Sequence, residues 1–343
     1  MPWRSRVISM VGLVVLLVGV TILGVSIGST DIPFFTTGRI VLSRLPFISI
    51  TQTWPDPIET AIINLRMPRV ILAAISGSAL SVAGASYQGL FRNPLADPYL
   101  IGVAQGAGLG AVIGFSISIT SRLGGLTTVS ILAFFGGLLA VFIVYWLARV
   151  GRTLPVTTII LAGVALGAFL SSITSFLFIT SGDALHGIAS WLLGGFSSPT
   201  WMQVAVISAP VTVGVLVTWM YGRSLNVMQL DEQQAQQLGV NVDRTKLILL
   251  IVATLITSAT VAFGGLIGFV GIIVPHAVRL IWGPDYRFLL PLSTVCGSIF
   301  LILADLLART LLAPQEIPLG IITAFFGAPF FLYLLRTKKR MIF

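Results

Sequence analysis

The side chains best suited to chemistry are few and widely separated along the chain. The 343 residues include two histidines, His186 and His276, and one cysteine, Cys296. The sequence has no His-x-x-x-His pair, paired cysteines or carboxylate cluster, so it predicts no metal site within one chain. It also lacks the Gly-x-x-x-x-Gly-Lys-Ser/Thr loop that binds nucleotide phosphates. No glycine-flanked serine pairs with a plausible buried base, which argues against a hydrolase.

The composition explains this scarcity, because it is that of a membrane protein. Apolar residues make up 56% of the chain and charged residues only 9%, with a mean hydropathy of +1.01. A soluble domain carries roughly a quarter charged residues, so this chain cannot cover a water-facing surface. Its single cysteine lies in an apolar run and excludes a disulfide framework. The net charge of +9 is small, and nucleic acid is not an expected partner.

Apolar runs near the length of a spanning helix, about 20 residues, recur along the chain. One run, 247–282, would be about 54 Å long as a single helix, well beyond a hydrocarbon core of about 30 Å. Its glycines and Pro275 permit a break, which we place near Gly264–Gly265. Ten spans result. The runs lie at 11–28, 68–91, 99–119, 127–149, 157–180, 201–221, 247–282 (two spans), 288–308 and 317–335.

The distribution of basic residues gives the orientation. With both termini in the cytoplasm, 14 of the 20 Lys and Arg lie inside and six lie outside. The acidic residues divide almost evenly, as the positive-inside rule expects. An odd number of spans would put one basic terminus outside. The sequence therefore predicts an all-α polytopic membrane protein that forms a single domain over 1–343, with ten transmembrane helices and both termini cytoplasmic.

Two polar stretches are predicted on the outer side. Residues 29–65 form an outer segment with a short interfacial helix over 33–45. Residues 181–200 form an outer loop whose apolar run, 188–193, is too short to span and is predicted to dip back from the outer face. The first apolar run is not followed by an Ala-x-Ala-like cleavage site, so we predict a retained first span and not a signal peptide.

Residues 222–246 form the one sizeable inner loop. Asp231 suits a helix N-cap, Glu232 the positive end of that helix, and Gly239 its C-terminal stop. Leu230, Ala235 and Leu238 would supply apolar contacts. A short amphipathic helix that projects from a membrane domain could act as a lever for an inner partner. A solvated connector with no partner is the alternative at this point.

Few ionisable groups lie deep in the spans, although a proton- or sodium-coupled carrier would be expected to have them. A conduit without its own energy source needs an external one. A self-sufficient secondary transporter or channel remains the alternative function, and an intramembrane enzyme would need a nucleophile and base that the sequence does not offer.

From residue 30 onward the sequence resembles the FecCD-type permeases of ABC importers. The resemblance begins with Arg-Met-Pro-Arg at 66–69 and is highly specific over 84–98, which includes the Asn93-Pro94 turn. The matching segments follow the family's order. They are 66–69, 84–98, 100–103, 106–107, 161–167, 191–195, 235–240, 268–271, 275–280, 304–309, 316–320 and 327–329.

The resemblance implies a type II ABC importer permease fold and a specific machine. Two permease chains, identical or different, would form a dimer around a central path. Two cytoplasmic ABC ATPases would bind below, and an extracytoplasmic substrate-binding protein would deliver the cargo. The permease would not be an enzyme and would hold no cofactor, because the partner ATPases bind ATP. The family transports ferric siderophores, haem or cobalamin, and we place siderophore first because that branch is the largest.

The resemblance also assigns roles to individual residues. Arg66, Arg69 and Arg309 match the outer arginines that grip carboxylates of the binding protein, which agrees with the geometry of guanidinium pairs. Their alternative role is to extend to lipid headgroups. The ATPase-coupling residues match within the inner loop. They are Leu230, Asp231, Glu232, Ala235, Leu238, Gly239 and Val240.

The cytoplasmic gate is assigned in the same way. Asn93 and Leu95 match the inner turn that forms part of it, with a simple turn as the alternative. Val156 and Thr157, which open the fifth span, occupy the other gate position. Family members often have two small hydroxylated residues there, so Val156 departs from the pattern. The later part of span five (171–175) and span ten would line the path, although periodicity alone does not settle which faces point inward.

Overall fold

The computed structural model describes residues 3–28, 32–44, 50–117, 126–151 and 154–337, and all the secondary-structure elements there are helices. The longer helices, of ten residues or more, are α1 (Trp3–Ser26), α2 (Phe34–Ser43), α4 (Met67–Leu90), α5 (Val103–Ser116), α6 (Thr128–Ala148), α7 (Val156–Ile179), α9 (Trp201–Met220), α12 (Val242–Gly264), α13 (Val270–Trp282), α14 (Tyr286–Thr310) and α15 (Leu319–Thr337). The shorter α-helices are α3 (Asp56–Thr60), α8 (Leu185–Leu192), α10 (Gly222–Met228) and α11 (Glu232–Gln237).

Seven helices in the described part of the chain are long and apolar enough to cross a membrane. Three further apolar helices are shorter. They are α5, α13 and the Leu319–Tyr333 part of α15. Each of the ten predicted spans therefore contains a helix, but the number that cross the membrane stays a prediction. The seven are Ser5–Ser26, Asp56–Leu90, Thr128–Ala148, Val156–Ile179, Trp201–Met220, Val242–Gly264 and Tyr286–Thr310.

The long apolar run divides where its glycines predict. Helix α12 ends at Gly264, and Gly265 follows with φ +63°, a left-handed conformation that glycine adopts at little cost. A Cβ at Gly265 would lie 2.2 Å from the carbonyl oxygen of Trp191, so the outer loop also requires glycine here. Helix α13 resumes at Val270. The predicted interfacial helix over 33–45 is present as α2.

Two helix boundaries differ from the predicted spans. The run 99–119 is interrupted at Gly102, whose φ is +88°, and α5 covers 14 residues, or about 21 Å. The second difference concerns the span predicted at 68–91. Its helix begins at Asp56, well before Met67, and passes through a π-helical turn, Ala61–Arg66, into α4. Pro68 lies two residues after that turn. A proline removes a backbone donor, and π turns are a known accommodation for such a defect.

Helix α4 is the centre of the bundle. It packs against α9, α12, α13 and α14, and most of its residues from Ser76 to Leu90 are fully buried. Small residues permit the closest of these approaches, because lipid offers helices no hydrophobic drive to associate. A Cβ placed on Gly77 would lie 2.1 Å from the carbonyl oxygen of Gly297 on α14. The two backbones are thus in direct contact.

We expect Gly77→Ala to destabilise the protein by about 1–3 kcal/mol, the usual range for overpacking a close interface. The matched control is Gly19→Ala on α1, where a Cβ would meet nothing within 4 Å. The thermal midpoint of the detergent-purified protein measures both. Equal midpoints for the two variants would contradict the close α4–α14 approach.

Candidate functional site

The three arginines predicted to dock a binding protein lie together, and carboxylates hold two of them. Asp305 on α14 accepts from Arg69 Nε through one oxygen and from Arg309 Nε through the other, each at 3.0 Å. The Glu316 carboxylate pairs with both terminal nitrogens of the Arg69 guanidinium, with Nη1 at 3.0 Å and Nη2 at 2.9 Å. The side chains of Arg69 and Arg309 are 14% and 8% exposed and that of Asp305 is 1% exposed. This group is a mostly buried ionic cluster.

The same cluster fastens the end of α1. Arg66 Nη1 donates to the carbonyl oxygens of Val25 at 3.2 Å and Ser26 at 2.7 Å. Arg309 donates to Gly24 at 2.9 Å and to Ile27 at 3.2 Å. The last carbonyls of a helix lack intrahelical partners and carry partial negative charge, so guanidinium groups stabilise them. Helix α1 contributes few buried residues of its own, and these bonds secure it to α4 and α14.

A cleft of about 230 Å³ opens beside the cluster, lined by Arg66, Arg69, Arg309 and Glu316 among others. Three guanidiniums against two carboxylates leave the cleft cationic. The structure thus gives the arginines protein partners, which the sequence analysis did not foresee. Part of the signal was present, since Asp305 and Arg309 stand four residues apart on one helix. The docking role of the three arginines stays a prediction.

Helix α11, in the predicted inner loop, ends as the sequence predicts. Gly239 has φ +85°, its N–H donates to Gln236 at 2.9 Å, and the Val240 N–H reaches back to Ala235 at 3.0 Å. These two bonds form a Schellman motif, which requires a left-handed residue at the position of Gly239. Ala235 is fully buried against the chain, whereas Leu238 is 63% exposed and Leu230 47% exposed. Two apolar side chains that flank α11 are therefore exposed.

The start of α11 differs in one respect from the prediction. Asp231 occupies the N-cap position, but its side chain makes no capping hydrogen bond. Its Oδ1 lies 3.8 Å from Nη1 of Arg92 instead. The helix is short and begins without the predicted side-chain cap, so contacts with the rest of the chain must hold it in place.

The predicted gate residues lie at neighbouring helix ends. Asn93 follows α4 and accepts the Leu95 N–H at 2.9 Å, which closes an Asx turn. Val156 and Thr157 open α7, with Val156 packed against the core and Thr157 exposed. Val156 shares a small cavity with Leu90 and Phe91 at the end of α4. The two gate segments therefore approach each other within one chain.

Asp97, in the connection after α4, caps the short helix Pro98–Ile101 by accepting the Tyr99 N–H at 2.8 Å. Burial raises the pKa of Asp97 to about 6, although the Tyr99 hydrogen bond lowers it. The carboxylate of Asp285 has a pKa shifted in the opposite direction. Asp285 accepts from Arg287 and from Asn226, and these bonds, led by the one from Arg287, lower its pKa to about 2.

Helix α7 carries polar groups on an exposed surface. Within the described chain it buries Ile159, Gly163 and Gly167, and Ser171, Ser172 and Ser175 are all exposed. Exposed hydroxyl groups in a long apolar helix are better suited to a wet path or a helix partner than to lipid. A path lined by this helix and α15 stays a prediction.

The described residues contain no group of three or more His, Cys, Asp or Glu side chains that could hold a metal ion. His276 lies buried on α13, where its ring meets Phe330 edge-on at 6.2 Å between centroids. Long apolar helices make up most of the described chain, and an ionic cluster lies where the ends of α1 and α14 meet, which is the arrangement of a polytopic membrane protein.

The chain belongs to the FecCD transport family, whose family model matches residues 15–337. That family consists of permease subunits of ABC transporters, which are not themselves catalytic. The chain is therefore a multi-pass transport protein of the prokaryotic cytoplasmic (inner) membrane.

Curated relatives carry several cargo names. The chain is 42% identical over 333 residues to the cobalamin import system permease BtuC of Halobacterium salinarum, covering 95% of this chain and 89% of the relative. It is 38% identical over 280 residues to the hemin transport permease HmuU of Yersinia pestis, with 81% and 83% covered. It is 33% identical over 359 residues to the iron(3+)-hydroxamate permease FhuB of Bacillus subtilis, with 98% and 86% covered.

A solved structure described as an inward-facing conformation of a metal-chelate type ABC transporter has the same fold. It superposes with a TM-score of 0.81 at 28% sequence identity, and the match covers 95% of this chain and 98% of that one.

Proposed function

We propose that this chain is the permease subunit of an ATP-driven importer for a bulky metal chelate. The observation that carries the proposal is the family match over 15–337, supported by relatives named for cobalamin, hemin and ferric hydroxamate. These cargoes are all large metal chelates. The expected cargo is an iron siderophore, with haem and cobalamin as close options. The cargo is identified by denaturing the cognate binding protein and analysing the chelate that it releases.

The proposed permease works as a dimer with ten spans per chain and both termini cytoplasmic. The exposed hydroxyls of α7 and the exposed face of α15 support a path between two copies. Such a lining has few strong ligands, which suits the passage of a large cargo. The partner copy is identical or a related chain. Asn93, Leu95, Val156 and Thr157 close the path on the inner side.

Energy enters through α11 and the residues that flank it. Leu230 and Leu238 are exposed and apolar, as a surface that docks onto a cytoplasmic ATPase should be. Two ATPases bind ATP below the dimer, and this chain holds no cofactor. Because α11 is terminated by a glycine-dependent motif and rests on buried Ala235, it can move as a firm unit.

The outer cluster receives the binding protein. Arg69 is the least buried of the three arginines by side chain and borders the cationic cleft. Glu316, which pairs with Arg69, is about half exposed. A carboxylate of the incoming protein therefore competes with Glu316 for the guanidinium fork of Arg69.

This competition predicts opposite effects for two neutralising substitutions. Glu316→Gln frees Arg69 and should tighten capture of the binding protein about two- to five-fold, whereas Arg69→Gln should weaken capture by a similar factor. Titration of the labelled binding protein onto the permease in nanodiscs measures both, and added salt should shrink both effects. Shifts in the same direction, or shifts that salt does not alter, would remove the docking assignment.

Reconstitution tests the proposed function as a whole. Vesicles that contain the permease, its ATPase and the loaded binding protein should take up chelate only with ATP. The alternative, a self-sufficient secondary transporter or channel, predicts uptake by the permease alone. Uptake that survives removal of the ATPase would refute the proposal, as would labelling of residues 222–246 from outside intact cells.

A further inference from the structure

Polar contacts fasten the inner loop directly to the inner end of α4. Gln229 Nε2 donates to the carbonyl oxygen of Gly89 at 3.1 Å. Arg92 Nη1 donates to the carbonyl oxygen of Leu230 at 3.1 Å and lies 3.8 Å from Asp231. Arg92 immediately precedes the gate turn and has φ +49°, which is uncommon for a residue with a side chain and marks a constrained backbone.

A second link joins α11 to the N-terminal part of α12. Lys246 Nζ lies 2.7 Å from Glu232 Oε1. The Lys246 side chain is 7% exposed and that of Glu232 is 40% exposed. A buried ammonium without a counter-ion is costly, whereas this one is paired at the protein surface by a residue of α11. The position of α11 is therefore tied electrostatically to α12.

The Lys246 side chain lies beside the ends of the two segments that hold the predicted gate residues. It lines a cavity of about 10 Å³ together with Phe91, at the end of α4, and Val156, at the start of α7. A space of this size holds at most one water molecule, so the surrounding side chains are close-packed. Close-packed interiors transmit displacement because their atoms have nowhere else to go. Movement of Lys246 must therefore displace Phe91 and Val156.

We propose that Lys246 and Arg92 are positioning residues that transmit movement of α11 to the cytoplasmic gate. The inference rests on the proposed function, because an ATPase must supply that movement. Displacement of Glu232 draws Lys246 with it and shifts the packing between Phe91 and Val156. Arg92 carries the same displacement through the Leu230 carbonyl into the turn that holds Asn93 and Leu95. One helix thereby acts on both gate segments of its own chain.

The test reads the gate directly and needs no cargo. The reporter is Leu95→Cys in a Cys296→Ser background, which removes the chain's one native cysteine. The rate at which a maleimide labels the introduced cysteine measures how accessible the gate is. The Asx turn is preserved, because Asn93 bonds the backbone of residue 95. The assembled permease–ATPase complex is labelled with and without ATP. Glu232→Gln and Lys246→Met are placed in this background, with Asp243→Asn as the control that removes an exposed charge from the same segment.

We expect ATP to change the labelling rate in the parent and in Asp243→Asn. In Glu232→Gln and Lys246→Met that change should fall by roughly five-fold or more, a typical allosteric coupling. Lys246→Met, whose side chain is 7% exposed, should leave co-purification of the ATPase unchanged. The double variant should lose no more than either single variant, because both act on one link. Methionine preserves the apolar stem of Lys246, and Glu232 is partly exposed, so at least one of the two variants should fold.

Two results separate the failures. A parent-like response to ATP in a folded Glu232→Gln complex, with the ATPase bound, would overturn the link while leaving the proposed function intact. A parent that neither binds an ATPase nor responds to ATP would overturn the proposed function, and the link with it.

Discussion

Leu238→Glu is expected to abolish ATP-driven transport while leaving the permease folded. Leu238 is 63% exposed and lies at the end of α11, where a carboxylate can be solvated at little cost to stability, within about 0.5 kcal/mol. Against an ATPase surface the same carboxylate would be desolvated without a partner. Loss of a central apolar contact typically costs at least about 2 kcal/mol, or roughly thirty-fold in Kd.

The control for this substitution is Leu312→Glu. Leu312 is 61% exposed, so the chemical change and the exposure are matched, but it follows α14 at the end that holds the arginine cluster. Co-purification of the ATPase and ATP-driven uptake by reconstituted vesicles are measured for both variants. Leu312→Glu should behave as the parent in both assays. Normal ATPase affinity and normal uptake in Leu238→Glu would show that α11 is only a solvated connector.

Local signals in the sequence predicted the local structure of this region well. Gly239 was identified as the stop of α11 and Gly265 as part of the break after α12, and both have positive φ. These positions are predictable because the backbone conformation itself demands glycine. The interruption at Gly102 is of the same kind, but its surroundings were apolar enough to suggest an uninterrupted span.

Contacts between distant segments were not predictable in the same way. Asp231 was expected to cap α11, yet it faces Arg92, 139 positions earlier in the sequence. Arg69 was expected to meet a partner protein, yet it is paired with Asp305, 236 positions away. A side chain's choice among several charged partners depends on how the helices pack, and no sequence window contains that information. The type of these residues was informative, but their partners were not.

The ionic cluster around Asp305 yields the second large expected effect, for Asp305→Asn. The Asp305 side chain is 1% exposed and its two oxygens accept from Arg69 and Arg309, each at 3.0 Å. Asparagine retains the shape but removes the charge, and its amide group would face one guanidinium donor with another donor. Two largely buried cations would then share the remaining charge of Glu316. Breaking a buried ion pair in this way typically costs about 3–5 kcal/mol.

Glu316→Gln is the matched control, since it neutralises the other carboxylate of the same cluster at a site that is 53% exposed. Exposed pairs contribute about 0–1 kcal/mol, so its thermal midpoint in detergent should stay close to that of the parent. Asp305→Asn should unfold at a clearly lower temperature. Because Arg309 also bonds the last carbonyls of α1, limited proteolysis should release α1 first in that variant. Equal decreases in the thermal midpoint for the two substitutions would show that burial does not set the strength of this ionic cluster.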